Sequence, residues 1–127
     1  MQTAELSIFI IEDDRHFRET FIDVMGLRGV EVQGAGTAAE GLATLCAMRR
    51  PPSVIILDVK LPDLHGFQVC RKLKKLPALK DVPVIFVSAA TAADRAEGLL
   101  AGGSSFLPKP VTIERLLKEI EALKRRP

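Results

Sequence analysis

Five short runs of β-branched and aliphatic residues recur along the chain, at residues 6–11, 30–33, 54–57, 84–87 and 105–107. Their starts fall 24, 24, 30 and 21 residues apart. A hairpin joins antiparallel strands through a few residues, whereas a crossover between parallel strands takes a dozen or more, usually as a helix. The spacing therefore predicts parallel strands alternating with helices. The runs are read as strands covered on both faces, the fifth more weakly than the others.

The segments between the runs carry helical periodicity. Phe17, Phe21, Val24 and Met25 form one apolar stripe, and Leu42, Leu45 and Cys46 a second. Thr37 with Glu40, and Thr91 with Asp94, have the spacing of a capping box and predict the starts of the second and fourth helices. A third helix is expected over residues 66–76. A last one, over 112–124, puts Ile113, Leu116, Leu117, Ile120 and Leu123 on one face. The 127 residues, 47% hydrophobic and 27% charged, suit one compact domain with a real core and leave no room for a separate effector. A net charge of +2 and the short basic cluster Lys124-Arg125-Arg126 give no footprint for direct nucleic-acid binding. No apolar run has the length of a membrane span, and Glu5 breaks any leader, so the cytoplasm is the expected location. Cys46 and Cys70 lack metal or redox spacing and are expected to be small buried hydrophobes.

In an open parallel sheet, ligands bind beyond the carboxyl ends of the strands, where strand order reverses. Glu12, Asp13 and Asp14 follow the first run, Asp58 the third, Ser88 the fourth and Lys109 the fifth. If the order is 2-1-3-4-5, the reversal gathers Glu12, Asp13 and Asp58 into an acidic crevice with one lysine. Carboxylates about 4 Å apart repel by roughly 4 kcal/mol per pair at an effective dielectric near 20. A hard divalent cation, Mg²⁺ with Mn²⁺ as substitute, suits such an all-oxygen donor set. His16 and His65 are left without a role. An aspartate-nucleophile phosphatase would need a second acid two residues after the first, where Lys60 stands, and an FMN phosphate would be repelled by Glu12-Asp13-Asp14.

Glu12-Asp13-Asp14, then Asp58, Pro62 and Gly66 as D-x-x-x-P-x-x-x-G, then Val87-Ser88-Ala89, then Lys109-Pro110, resemble the receiver domain of two-component response regulators. The resemblance runs over nearly the whole chain as one domain, residues 1–127. It implies the flavodoxin-like (βα)5 fold with five parallel strands in the order 2-1-3-4-5. It also implies that Asp58 accepts a phosphoryl group from a phosphohistidine on a sensor histidine kinase or histidine phosphotransfer protein, with slow self-catalysed hydrolysis afterwards. Asp13, Glu12, Asp58 and the backbone carbonyl of Lys60 would hold Mg²⁺. Ser88 and Lys109 would contact the phosphoryl group, Phe106 would be the aromatic switch, and Pro110 would follow a cis peptide. Lys60 and Ala90 occupy positions that tune phosphoryl lifetime in the family. Helix four, strand five and helix five would carry the response to a downstream protein, an attached effector domain or a second copy of the chain. A phosphorylation-independent interaction module is the alternative. Ser104-Ser105 stand where many DNA-binding members carry acidic residues of an inter-subunit network, so the resemblance does not extend to that network.

Overall fold

The computed structural model describes residues 6–89 and 91–125. Ala90, Glu5 and Arg126, each part of an expectation above, lie outside the described residues. The elements follow as β1 (Ser7–Ile11), α1 (Arg15–Leu27), β2 (Glu31–Ala35), α2 (Ala38–Ala47), β3 (Val54–Asp58), α3 (Gly66–Lys74), β4 (Val84–Ser88), α4 (Ala92–Leu100), β5 (Ser105–Pro108) and α5 (Ile113–Arg125). The strands form one parallel sheet in the order β2-β1-β3-β4-β5. No helix among the described residues is long and apolar enough to cross a membrane.

Alternation along each strand divides the core in two. Phe9, Ile11, Ile55, Leu57, Val84, Phe86 and Phe106 pack with Leu45 of α2 and with Phe67 and Leu73 of α3. Ile8, Ile10, Val54, Ile56, Ile85, Val87 and Leu107 pack with Phe21 and Met25 of α1 and with Leu116 and Ile120 of α5. Each layer hides one face of the sheet, which is why the central runs are apolar at nearly every position.

The second run departs from expectation. β2 covers residues 31–35 rather than 30–33, and only Ala35 is buried. It is an edge strand, so its outer flank has no neighbour to cover it, and Glu31 and Gln33 face solvent. Cys46 likewise lies exposed near the end of α2, off the buried stripe of Ala38, Gly41 and Leu45, while Cys70 is fully buried in α3. Burial pushes the Cys70 thiol up from its ordinary range.

Helix boundaries follow side-chain chemistry. Thr91 and Asp94 form a complete capping box at α4. Thr37 accepts from the Glu40 N–H, but the Glu40 carboxylate reaches the Gly36 N–H instead of closing the reciprocal bond to Thr37. α3 stops at Lys74, short of residue 76. Lys74 turns its ammonium to the carbonyls of Lys80 (3.2 Å) and Val82 (2.7 Å) and so closes the α3–β4 loop. α1 ends where Gly29 adopts φ 78°, a left-handed turn that costs glycine little.

Candidate metal and phosphoacceptor site

Parallel register brings the ends of the strands together. Ile11 pairs with Leu57, Asp58 with Val87, and Ser88 with Pro108, so Glu12, Asp58, Ser88 and Lys109 stand along one edge of the sheet. Glu12 is 2% exposed, Asp58 5% and Ser88 2%, whereas Asp13 is exposed. Carboxylate oxygens of Glu12, Asp13 and Asp58 lie within 4.8 Å of one another. The Lys109 ammonium sits 2.9 Å from Glu12 Oε1 and 3.6 Å from Asp58 Oδ2. The lysine is therefore closer to Glu12 than to Asp58, a detail that the order of motifs along the chain does not encode.

Every polar group of Glu12 has a partner. Its N–H donates to the Ala35 carbonyl (3.0 Å), its carbonyl accepts from Arg18 Nη1 (2.6 Å), and Oε2 accepts from the Asp14 N–H (3.0 Å). Asp58 Oδ1 accepts from the Lys60 N–H at 3.3 Å. Burial pushes the Glu12 carboxyl up to about 7, with the neighbouring Asp58 adding to the rise and the bonds from Lys109 and Asp14 opposing it. Burial pulls the Lys109 ammonium down, but its hydrogen bonds to Glu12 and Asp58 and their charges outweigh that, so it is held above its ordinary value.

Three carboxylates against one ammonium leave an excess of negative charge and a set of hard oxygen donors. That donor chemistry fits Mg²⁺ or Mn²⁺; among the described residues no thiolate or imidazole joins the cluster. Asp14, the third acid of the run, instead caps α1, accepting from the Phe17 N–H. His16 is exposed on α1. His65 caps α3 through Nδ1, which accepts from the Phe67 N–H at 3.2 Å. Histidine is not a preferred capping residue, so nothing local announced that role.

The loop after Asp58 is drawn in tightly. A Cβ on Gly66 would stand 2.4 Å from the Asp58 carbonyl oxygen and 2.8 Å from Val59 Cα, so only glycine lets α3 begin against the strand end. Lys60 is exposed and pairs with His65 through an isolated bridge. Asp63 reaches across to α2, its two carboxylate oxygens each accepting at 2.9 Å from the N–H groups of Ala38 and Ala39. Those bonds hold its carboxyl below the ordinary value. Its partners are 25 and 24 residues away, beyond the reach of local sequence patterns.

At the other flank, the Ser88 carbonyl accepts from the Lys109 N–H at 3.0 Å, and the Lys109–Pro110 peptide is cis. Phe106 is packed inward, 7% exposed, its ring centroid 6.0 Å from that of Phe86. Between α4, β5 and α5 lies an open groove of about 570 Å³ whose lining includes Arg95, Leu99, Ser104, Phe106, Pro108 and Arg115.

The model of the response regulator receiver domain matches residues 8–121. Response regulator MprA of Mycobacterium avium is 34% identical over 122 residues, covering 95% of this chain and 52% of that protein. The chain thus spans about half the length of the curated relatives it matches. Among solved structures, chemotaxis response regulator CheY4 of Vibrio cholerae superposes with a TM-score of 0.86 at 26% identity, over 93% of this chain and 98% of that one. The signal receiver domain of a signal transduction histidine kinase from Syntrophus aciditrophicus gives 0.81 at 28% identity, over 95% and 94%. Sheet order, the acidic cluster at the strand ends and these likenesses agree, and the chain belongs to the response regulator receiver domain family.

Proposed function

We propose that the chain is a single receiver unit in which Asp58 accepts a phosphoryl group from a phosphohistidine of a sensor histidine kinase or a histidine phosphotransfer protein. The observation that carries this reading is a nearly buried Asp58 carboxylate held 3.6 Å from the Lys109 ammonium, with Glu12 and Asp13 oxygens within 4.8 Å. A carboxylate oxygen of Asp58 attacks phosphorus, the P–N bond breaks, and the imidazole leaves with its electron pair. Catalysis of such a transfer is mainly positioning and neutralisation of charge on the phosphoryl oxygens. Glu12, Asp13, Asp58 and the Lys60 carbonyl would hold Mg²⁺, which supplies positive charge toward those oxygens when bound. Lys109 supplies a second cation, and Ser88, at the end of the adjacent strand, a hydroxyl. Water later attacks phosphorus, releases inorganic phosphate and restores the Asp58 carboxylate, slowly enough for the state to signal.

A new dianion at Asp58 draws Ser88 and Lys109 toward it. Both lie at strand ends beside α4, so the response falls on α4, β5 and α5, with Phe106 between them. The groove there, with Leu99 46% exposed on its wall, supports a protein partner or an attached effector domain as the reader of that surface. On this reading the domain works in the cytoplasm as a signalling switch, not as a turnover enzyme.

Incubation with acetyl phosphate and Mg²⁺, followed by intact-protein mass spectrometry, should show one added phosphoryl group that Asp58→Asn abolishes. No adduct with small donors or candidate kinases would leave the phosphorylation-independent interaction module as the account of this domain.

A further inference from the structure

We propose that Arg18 is the positioning residue of the acidic pocket: its guanidinium fixes the Glu12 end of the β1–α1 turn, in a trough that Gly34 and Gly36 keep open. The inference rests on reading Glu12, Asp13 and Asp58 as divalent-cation ligands.

Arg18 stands in the first turns of α1, six residues past Glu12, and its Nη1 donates to the Glu12 carbonyl at 2.6 Å. A charge-assisted bond of that length is about twice as strong as a neutral one. The carbonyl it grips belongs to the peptide that links Glu12 to Asp13. Asp13 is exposed, so the position of its carboxylate depends on where that peptide is held. The Glu12 side chain is already tied to Lys109 and to the Asp14 N–H, and its own N–H to Ala35. Arg18 supplies the remaining constraint.

The neighbouring strand is shaped around this arginine. A Cβ on Gly34 would stand 3.1 Å from Arg18 Cδ and 3.1 Å from Ile22 Cδ1. One on Gly36 would stand 3.1 Å from Arg18 Nη1. All three distances are tighter than ordinary side-chain contact, and the last is at the atom that bonds Glu12. Gly26, by contrast, has nothing within 4 Å and serves as a control. Groups that orient metal ligands without touching the metal typically account for 10- to 100-fold in affinity.

The test is calorimetric titration of MgCl₂ into the wild-type protein and into Arg18→Ala, Arg18→Lys, Gly36→Ala and Gly26→Ala, with stability measured separately in EDTA. Arg18→Ala should weaken Mg²⁺ binding about tenfold and shift the Glu12 carbonyl ¹³C resonance in metal-free protein. Arg18→Lys, which keeps a cation able to reach the carbonyl, should recover part of the loss. Gly36→Ala should weaken binding with Arg18 still present, and Gly26→Ala should not. Wild-type affinity in Arg18→Ala or Gly36→Ala, alongside loss in Asp13→Asn and Asp58→Asn, would overturn the role of Arg18 and leave the ligands standing. Wild-type affinity in Asp13→Asn and Asp58→Asn would overturn the ligand reading and this inference with it. If Arg18→Ala does not fold, Gly36→Ala decides by the same criterion.

Discussion

α3 and α4 are each nine residues long and cover the same face of the sheet side by side, yet they are anchored in opposite ways. α3 buries Gly66, Phe67, Val69, Cys70 and Leu73. Among the described residues of α4 only Gly98 is buried, and Leu99 and Leu100 are 46% and 88% exposed. A helix this short is marginal on propensity alone, so packing must hold it. In α3 the apolar stripe does so. In α4 the anchors are the Thr91–Asp94 capping box and the close seat of Gly98 on the rings of Phe67, Phe86 and Phe106. The helix beside Ser88 is therefore the one least costly to displace, and the helix that follows the Asp58 loop is the fixed one.

The largest expected effect lies in removing that asymmetry from the α3 side. Phe67→Ala should cost about 3–5 kcal/mol and Leu73→Ala about 2–5 kcal/mol in urea unfolding. Leu99→Ala and Leu100→Ala should stay within about 0.5 kcal/mol. Equal costs on the two helices would break the contrast.

Next comes the glycine seat. A Cβ at Gly98 would stand 2.9 Å from Phe67 Cε1 and 3.2 Å from ring carbons of Phe86 and Phe106. Gly98→Val should destabilise the fold by about 1–3 kcal/mol through overpacking and loosen α4 in amide hydrogen exchange. Unchanged exchange would mean that α4 is held elsewhere.

The smallest effect belongs to the cap. Thr91→Ala should cost about 1 kcal/mol, with lost exchange protection confined to α4. Acid should reach the same place. Hydrogen bonds from the Thr91 backbone and hydroxyl hold the Asp94 carboxyl below its ordinary 3.8. Its stabilising contribution is thus present above that value and lost as pH falls through the lowered one. α4 amides should lose protection on acidification before those of α3 do; the reverse order would remove the cap from the account.

Much of this was legible in the chain, and the exceptions share a cause. Strand rhythm, the helix starts at Thr37 and Thr91 and the gathering of Glu12, Asp58 and Lys109 at one edge follow from local periodicity and from what stands after each strand. β2 departs from expectation at its ends and in its burial because an edge strand keeps β-propensity without two covered faces. Asp63 on α2, the Lys74 clasp and the Arg18 bond to Glu12 are contacts of tertiary structure with no periodic signature. The sparse anchoring of α4 has no local signature either, since only the packed structure shows Gly98 turned inward and Leu99 and Leu100 outward.

Backbone amide NMR of the Mg²⁺-loaded protein, with and without beryllofluoride as a stable phosphoryl mimic, puts the whole account at risk in one experiment. The largest shift changes beyond the Asp58 loop should fall on residues 91–100 and 105–108 and on the start of α5, while residues 67–74 of α3 stay nearly unmoved. Changes confined to α1 and α2 that spare residues 92–123, or α3 moving as much as α4, would contradict it.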